Sequence, residues 1–168
     1  MKIGVISDTH GVVHERVAEI FRGVDHILHA GDIGGSDVLD ALREIAPVTS
    51  VEGNVDDGSG TSIVRTTIGN LRVLLTHVLP RPSAPDRRVL SSLRDAPADV
   101  VVFGHSHLPH DEVRDGVRFF NPASAGPRRF DYPRSVAMFE QQNGKWTAWH
   151  IALDERSIGA LQVRMNQL

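Results

Sequence analysis

Six short runs rich in β-branched residues, at positions 2–6, 25–28, 48–51, 62–68, 72–75 and 100–103, narrow the fold more than any other feature of the sequence. Between them lie stretches whose apolar residues recur at helical spacing. Val13, Val17, Ile20, Phe21 and Val24 form one such set, with Gly23 as its stop. Ser36 is placed to cap a helix carrying Val38, Leu39, Leu42 and Ile45, which Pro47 closes. Asp86, after Pro85, is placed to cap another carrying Val89, Leu90 and Leu93. Strand and helix in alternation predict βαβ units and parallel pairing.

The last third changes character. Asp115-Gly116 and Asn143-Gly144 each separate two extended runs, and both dipeptides suit two-residue type I′ turns, which need positive φ. An antiparallel half is therefore expected to follow the α/β half. Positions 78–85 hold three prolines and read as a loop, and from Asp154 the pattern is too weak to separate helix from strand. No repeat, linker or low-complexity tract interrupts the 168 residues, which predicts one domain over 1–168.

Composition removes several classes of function. Hydrophobic residues at 40% and charged residues at 23% exclude a disordered or fibrous chain. No apolar run approaches the roughly 18 residues that span a bilayer. The absence of cysteine excludes disulfides, thiolate catalysis, zinc ribbons and iron–sulfur clusters. With no signal-peptide pattern after Met1-Lys2, a cytoplasmic location is the expectation. The net charge is −3 and no stretch is strongly basic, so neither a nucleic-acid platform nor a membrane surface is expected.

The residues that follow the strands carry the chemistry. Run 2–6 leads into Ser7-Asp8-Thr9-His10, 25–28 into His29-Ala30-Gly31-Asp32, and 48–51 toward Gly53-Asn54. Run 72–75 leads into Thr76-His77, 100–103 into Gly104-His105-Ser106-His107, and 117–120 into Asn121-Pro122. Ligands of an open α/β sheet bind outside the carboxyl ends of its strands, so residues distant in sequence converge there. The convergent set offers two carboxylates, one amide oxygen and four imidazoles. Oxygen and imidazole donors without sulfur suit divalent manganese, iron, zinc or nickel. Seven donors exceed the needs of one tetrahedral ion and fit two ions that share a bridging carboxylate. Met singly, Asp32 or Asn54 reads as a turn former and His77 as a satisfied histidine. Two imidazoles flanking Ser106 after an all-apolar strand resist that reading.

Asp8-x-His10, Gly31-Asp32, Gly53-Asn54, Thr76-His77 and Gly104-His105-Ser106-His107, in this order, resemble the five motifs of the calcineurin-like metallophosphoesterases. The resemblance runs from Met1 to about Ser135. The Asp8-Thr9-His10-Gly11 start and Asn121-Pro122-Ala123-Ser124 are most similar to the small bacterial and archaeal phosphodiesterase branch, the YfcE type. It implies an α/β (α+β) fold, a four-layer α/β/β/α sandwich of two mixed β-sheets flanked by helices. It also implies two divalent ions per chain, with Asp8, His10 and His107 holding the first, Asn54, His77 and His105 the second, and Asp32 bridging. Manganese is the expected metal, with iron, zinc or nickel as alternatives. Asp32, Asn54, His105 and His10 are then the catalytic residues, and the expected reaction is hydrolysis of a phosphodiester by a metal-bridging hydroxide. A small phosphoester is the expected partner, and a homo-oligomer is left open. Two other readings stand beside this one. One is a scaffold of the retromer-subunit type, which shares the fold but has an incomplete catalytic set. The other is a phosphomonoesterase or nucleotidase on the same site.

The sequence departs from the family pattern at three positions. Val55 follows Gly53-Asn54 where many members have a histidine thought to assist the departing group. Val78 follows His77 where the branch has glycine, so the loop 78–88 is expected to take its own path. Ala123 stands for glycine in the sixth segment. Arg128 and Arg129 are candidates for a bidentate clamp on the substrate phosphate, weighed against a solvated surface pair, and Asn121 is a third substrate candidate. His14, His26, His29, His110 and His150 read as packed or solvated, and Asp56-Asp57 as a turn.

Overall fold

A computed structural model describes residues 1–79, 87–128 and 132–154. The expected cap Asp86 and the weak pattern at 161–165 lie outside the described residues. Strands β1 (Lys2–Ile6), β2 (His26–His29) and β3 (Val48–Ser50) pair in parallel, separated by helices α1 (Arg16–Ile20) and α2 (Ser36–Arg43). Strands β4 (Ile63–Ile68) and β5 (Leu71–Thr76) follow, then helix α3 (Arg87–Asp95) and β6 (Val100–Val102). Two hairpins follow among the described residues, β7 (Pro109–Arg114) with β8 (Val117–Pro122), and β9 (Ser135–Gln142) with β10 (Lys145–Ala152). Both turn where the sequence indicates, with positive φ at Asp115, Gly116, Asn143 and Gly144.

These strands form two mixed five-stranded sheets, in the orders β10-β9-β1-β2-β3 and β4-β5-β6-β8-β7. Between them lies one apolar layer, with Ile3, Val5, Leu28, Phe139 and Trp146 from the first sheet meeting Leu71, Val73, Leu75, Val102 and Phe120 from the second. Helices α1 and α2 cover the outer face of the first sheet through Val17, Phe21, Val38 and Leu42. Helix α3 covers the outer face of the second through Val89 and Leu93. This is the four-layer sandwich that the resemblance implies.

Two local expectations are corrected. The first helix is shorter than its apolar spacing indicates, because the backbone turns at Phe21 and Gly23, which has φ +75°. Ser36 does not cap α2; it is the first helical residue, and Gly35 precedes it as cap without a side-chain bond. One pairing went unread as well: β4 and β5 form an antiparallel hairpin through Gly69-Asn70, where Gly69 has φ +61°.

One charged pair lies inside the sandwich. Arg118, two residues before Phe120, shares its inward face, and its Nε donates to Asp111 Oδ1 at 2.7 Å. Both side chains are 1% exposed. Burial raises the Asp111 carboxyl above its ordinary value even though Arg118 opposes the shift. A buried pair of this kind is sensitive to loss of one member, because the other charge is stranded. Asp111→Ala should therefore lower the free energy of unfolding by roughly 3–5 kcal/mol in a urea titration. Replacing both residues with apolar ones, Asp111→Leu with Arg118→Met, should recover most of that loss.

Candidate metal centre

The parallel strands of both sheets end on one edge, and each sheet delivers part of the expected ligand set. From the first sheet come Asp8 and His10 after β1, Asp32 after β2 and Asn54 after β3. From the second come His77 after β5, and His105 and His107 after β6. The chain turns sharply at five of these seven residues. Asp8, His10, Asp32, His105 and His107 all have positive φ, between 49° and 68°. The left-handed region costs an L-residue about 1–2 kcal/mol, so five such residues at one edge mark a shape imposed by the surrounding structure. Backbone bonds impose it: Asp8 N to Gly31 O, His10 N to Asp32 O, Gly11 N to Ile33 O and Gly104 N to His77 O. Gly104 is required here, because a Cβ would strike Ser7 Oγ and come within 2.8 Å of Asp8 Oδ2.

Asp8, His10, Asp32 and His107 each offer a ligand atom, and these atoms all lie within 4.8 Å of one another. His107 Nε2 is 3.3 Å from Asp8 Oδ1. His10 Nε2 is 3.6 Å from Asp32 Oδ2 and 3.4 Å from His107 Nε2. Across the sheets, His77 Nε2 is 3.3 Å from Asp32 Oδ1. The His77 contact tests the fit to a cation. His77 Nδ1 lies 2.7 Å from Ala30 O, which can only accept, so Nδ1 carries the proton and Nε2 presents a lone pair. That lone pair is buried without a hydrogen-bond partner and faces a carboxylate oxygen. Two acceptors so placed repel unless a positive centre lies between them, and a divalent ion supplies one. The donor set fits.

The second expected set is looser. The rings of His77 and His105 stand edge to face with centroids 5.3 Å apart, and His77 and the exposed Asn54 line a common cavity. The substrate candidates fare differently. Asn121 is fully buried, which corrects the expectation that it meets substrate. Its amide donates to Gly104 O at 2.8 Å and Ser106 Oγ at 3.1 Å, and its Oδ1 accepts from Ala123 N, so it holds the turn that carries His105 and His107. Arg128 lies in the field of Asp154, whose carboxyl is held low first by Arg134. Arg129 lies outside the described residues.

Comparison with known proteins gives the same answer as this geometry. The model of the calcineurin-like phosphoesterase superfamily domain matches residues 1–144. The chain belongs to that superfamily. A probable metallophosphoesterase of Methanothermobacter thermautotrophicus is 38% identical over 148 residues, covering 82% of this chain and 85% of the relative. The solved phosphoesterase YfcE from E. coli superposes with a TM-score of 0.69 at 28% identity, covering 99% of this chain and all of that one. Vacuolar protein sorting 29 from Cryptosporidium parvum shares the fold, with a TM-score of 0.78 at 21% identity, covering 99% of this chain and 97% of that one.

Two residues beneath the site of this metallophosphoesterase domain were not read from sequence as parts of it. The Asp56 carboxylate accepts from the backbone N–H groups of Ile33 (2.9 Å), Gly34 (2.9 Å) and Gly53 (2.7 Å), tying the Asp32 turn to the Asn54 turn. Burial raises its carboxyl, and the three N–H donors outweigh that and hold it below its ordinary value. His29, wholly buried, accepts from Gly31 N at its Nδ1, so Nε2 carries the proton and meets Thr9 Oγ1 at 2.9 Å. Burial pushes its imidazole down to about 4. A second proton would have to replace the Gly31 bond. The unfolded chain binds that proton near pH 6.5 and the folded chain only near 4, so stability should fall as pH drops through this window. Urea midpoints of the metal-free protein should decline from pH 6.5 to 4, and His29→Gln should flatten that decline.

Proposed function

We propose that this chain is a phosphodiesterase working with two divalent ions, manganese foremost. The convergence of Asp8, His10, Asp32 and His107 where both sheets end carries this reading. Asp8, His10 and His107 would hold one ion, Asn54, His77 and His105 the other, with Asp32 shared. When bound, the ions would supply Lewis-acid activation of water and neutralise charge on the phosphoryl oxygens.

The protein residues position and polarise. Ala30 O locks the His77 tautomer, and Asn121 locks the turn under His105 and His107. Val55 N donates to Asp32 Oδ1 at 3.1 Å, which fixes the carboxylate's orientation. His10 and His105 are the more exposed of the four imidazoles and border the side from which substrate would enter. Val55 itself is 52% exposed and has no proton to give. A monoester dianion brings more charge than a diester, and among the described residues no dense cationic pocket surrounds the cluster to receive it.

Metal-reconstituted protein should hold about two divalent ions and hydrolyse an aryl phosphodiester with higher kcat/KM than the matching monoester. Elemental analysis finding no tightly held ion would overturn the metal reading, and a clear monoester preference would move the chain to the phosphatases. The scaffold alternative draws only on likeness of fold.

The side chain at position 55 sets a second expectation. General acid catalysis contributes about 10²–10⁴-fold, most for strongly basic leaving groups. Rates should therefore fall steeply with leaving-group pKa in the parent, and Val55→His should rescue alkyl diesters selectively at unchanged metal content. Equal parent rates for aryl and alkyl diesters would defeat this role for Val55.

A further inference from the structure

A cavity of about 430 Å³ opens on the turns that carry the metal ligands. Ile33, next to Asp32, and Val55, next to Asn54, form part of its wall, and Val55 N donates to Asp32 Oδ1 at 3.1 Å. Gly34 brings in a third turn, since a Cβ there would strike Gly11 N and the His10 carbonyl carbon. A group attached to a phosphoryl centre at the ions therefore has this cavity beside it.

One side of the cavity is aliphatic. Ile33 belongs to the core beneath α1 and α2, Leu39 on α2 packs against that core, and Val55 adds a side chain that is more than half exposed. Seven large hydrophobic side chains are exposed among the described residues, and Val12, Val55 and Leu108 each lie within two positions of an assigned ligand. Exposed apolar surface gathered at one site marks a place where an apolar group binds.

The charges along the cavity are of one sign. Glu52, Asp56 and Asp57 line it, and among the described residues no Lys, Arg or His does. Asp56 is spent on the N–H groups of Ile33, Gly34 and Gly53, and Asp57 accepts from Ser59 N at 3.0 Å. Glu52 stands on the divide, lining both this cavity and the smaller one beside His77. Three carboxylates repel an anion, whereas the aliphatic side rewards an uncharged group in proportion to the apolar area it covers.

We propose that this cavity is a subsite for one of the substrate's alcohol groups, that the group it takes is apolar and uncharged, such as a cycloalkyl or aryl ring, and that Val55 and Leu39 select it. The assignment rests on the phosphodiesterase reading. It makes the preferred substrate a diester with an apolar alcohol rather than one with an anionic appendage.

The test measures, by calorimetry on metal-loaded protein, the binding of methylphosphonate, cyclohexylphosphonate and 4-carboxycyclohexylphosphonate. Each carries the same phosphonate anchor, so differences report the organic group. Cyclohexylphosphonate should bind about ten-fold tighter than methylphosphonate, as burial of a ring provides, and the added carboxylate should remove most of that advantage. Val55→Asn and Leu39→Gln should each cut the cyclohexyl advantage to about three-fold or less. Leu90→Gln, which removes an exposed aliphatic side chain from α3, should retain it. Hydrolysis of bis(para-nitrophenyl) phosphate by the same samples tests the phosphodiesterase reading separately. Equal affinities for the three phosphonates, a preference for the carboxylate, or an advantage that survives both Val55→Asn and Leu39→Gln overturns the subsite and leaves a protein that hydrolyses the diester a phosphodiesterase. A cyclohexyl advantage lost in Val55→Asn, with no diester hydrolysed, supports the subsite and overturns that reading.

Discussion

Asp32 meets His77, and Asp8 meets His107, each at 3.3 Å across the boundary between two sheets. A carboxylate and an imidazole from different sheets can reach this separation only if both sheets end on the same edge and in register. Most of the surrounding architecture serves that condition. The shared apolar layer fixes the spacing of the sheets, and Phe120 against Phe139, edge to face with centroids 4.9 Å apart, helps to lock it. Backbone bonds from Ala125 N to Ser7 O and from Gly126 N to Asp8 O then fasten the end of β1 to the segment after β8.

The left-handed residues at this edge belong to the same constraint. Aspartate tolerates positive φ better than most residues, because its short polar side chain can satisfy nearby groups. Histidine is also enriched there. The ligand types that the chemistry needs are thus among the few that the backbone can accommodate. Beneath them Asp56, His29 and Asn121 satisfy the peptide groups that these turns expose. Such a site is shaped by hydrogen bonds within the protein as well as by any ion it holds.

Much of this was legible in the sequence, for identifiable reasons. Strands with β-branched runs and hairpins with Asp-Gly or Asn-Gly turns announce themselves locally, and the strand-end donors stand out because they recur. The division into two sheets came from the family resemblance, and which strands share a sheet was not legible in the residues, because pairing is a long-range property. Strand β9 inserts between β10 and β1, and nothing near residue 138 states that Met138 will face Gly4. The β4–β5 turn was missed because Gly69-Asn70 reverses the usual order of the hairpin dipeptide. Asp56 and His29 were missed because they act on backbone groups, and a side chain that binds peptide N–H leaves no partner visible in sequence. Asn121 shows the converse: its position after a strand marked it as a site residue, yet the same position buries it beneath the turn.

The contact between His150 and Asn121 has a consequence for how the protein matures. His150 on β10 stacks on Phe120 and lies 2.7 Å from Asn121 O, and Asn121 in turn grips Gly104 and Ser106. The turn that presents His105 and His107 is thus braced by a strand that follows it in the chain. Asp8, 97 residues ahead of the His105 N–H that it accepts, waits for all of these before its neighbours are in place. Early strands alone cannot offer a finished cage to a passing ion.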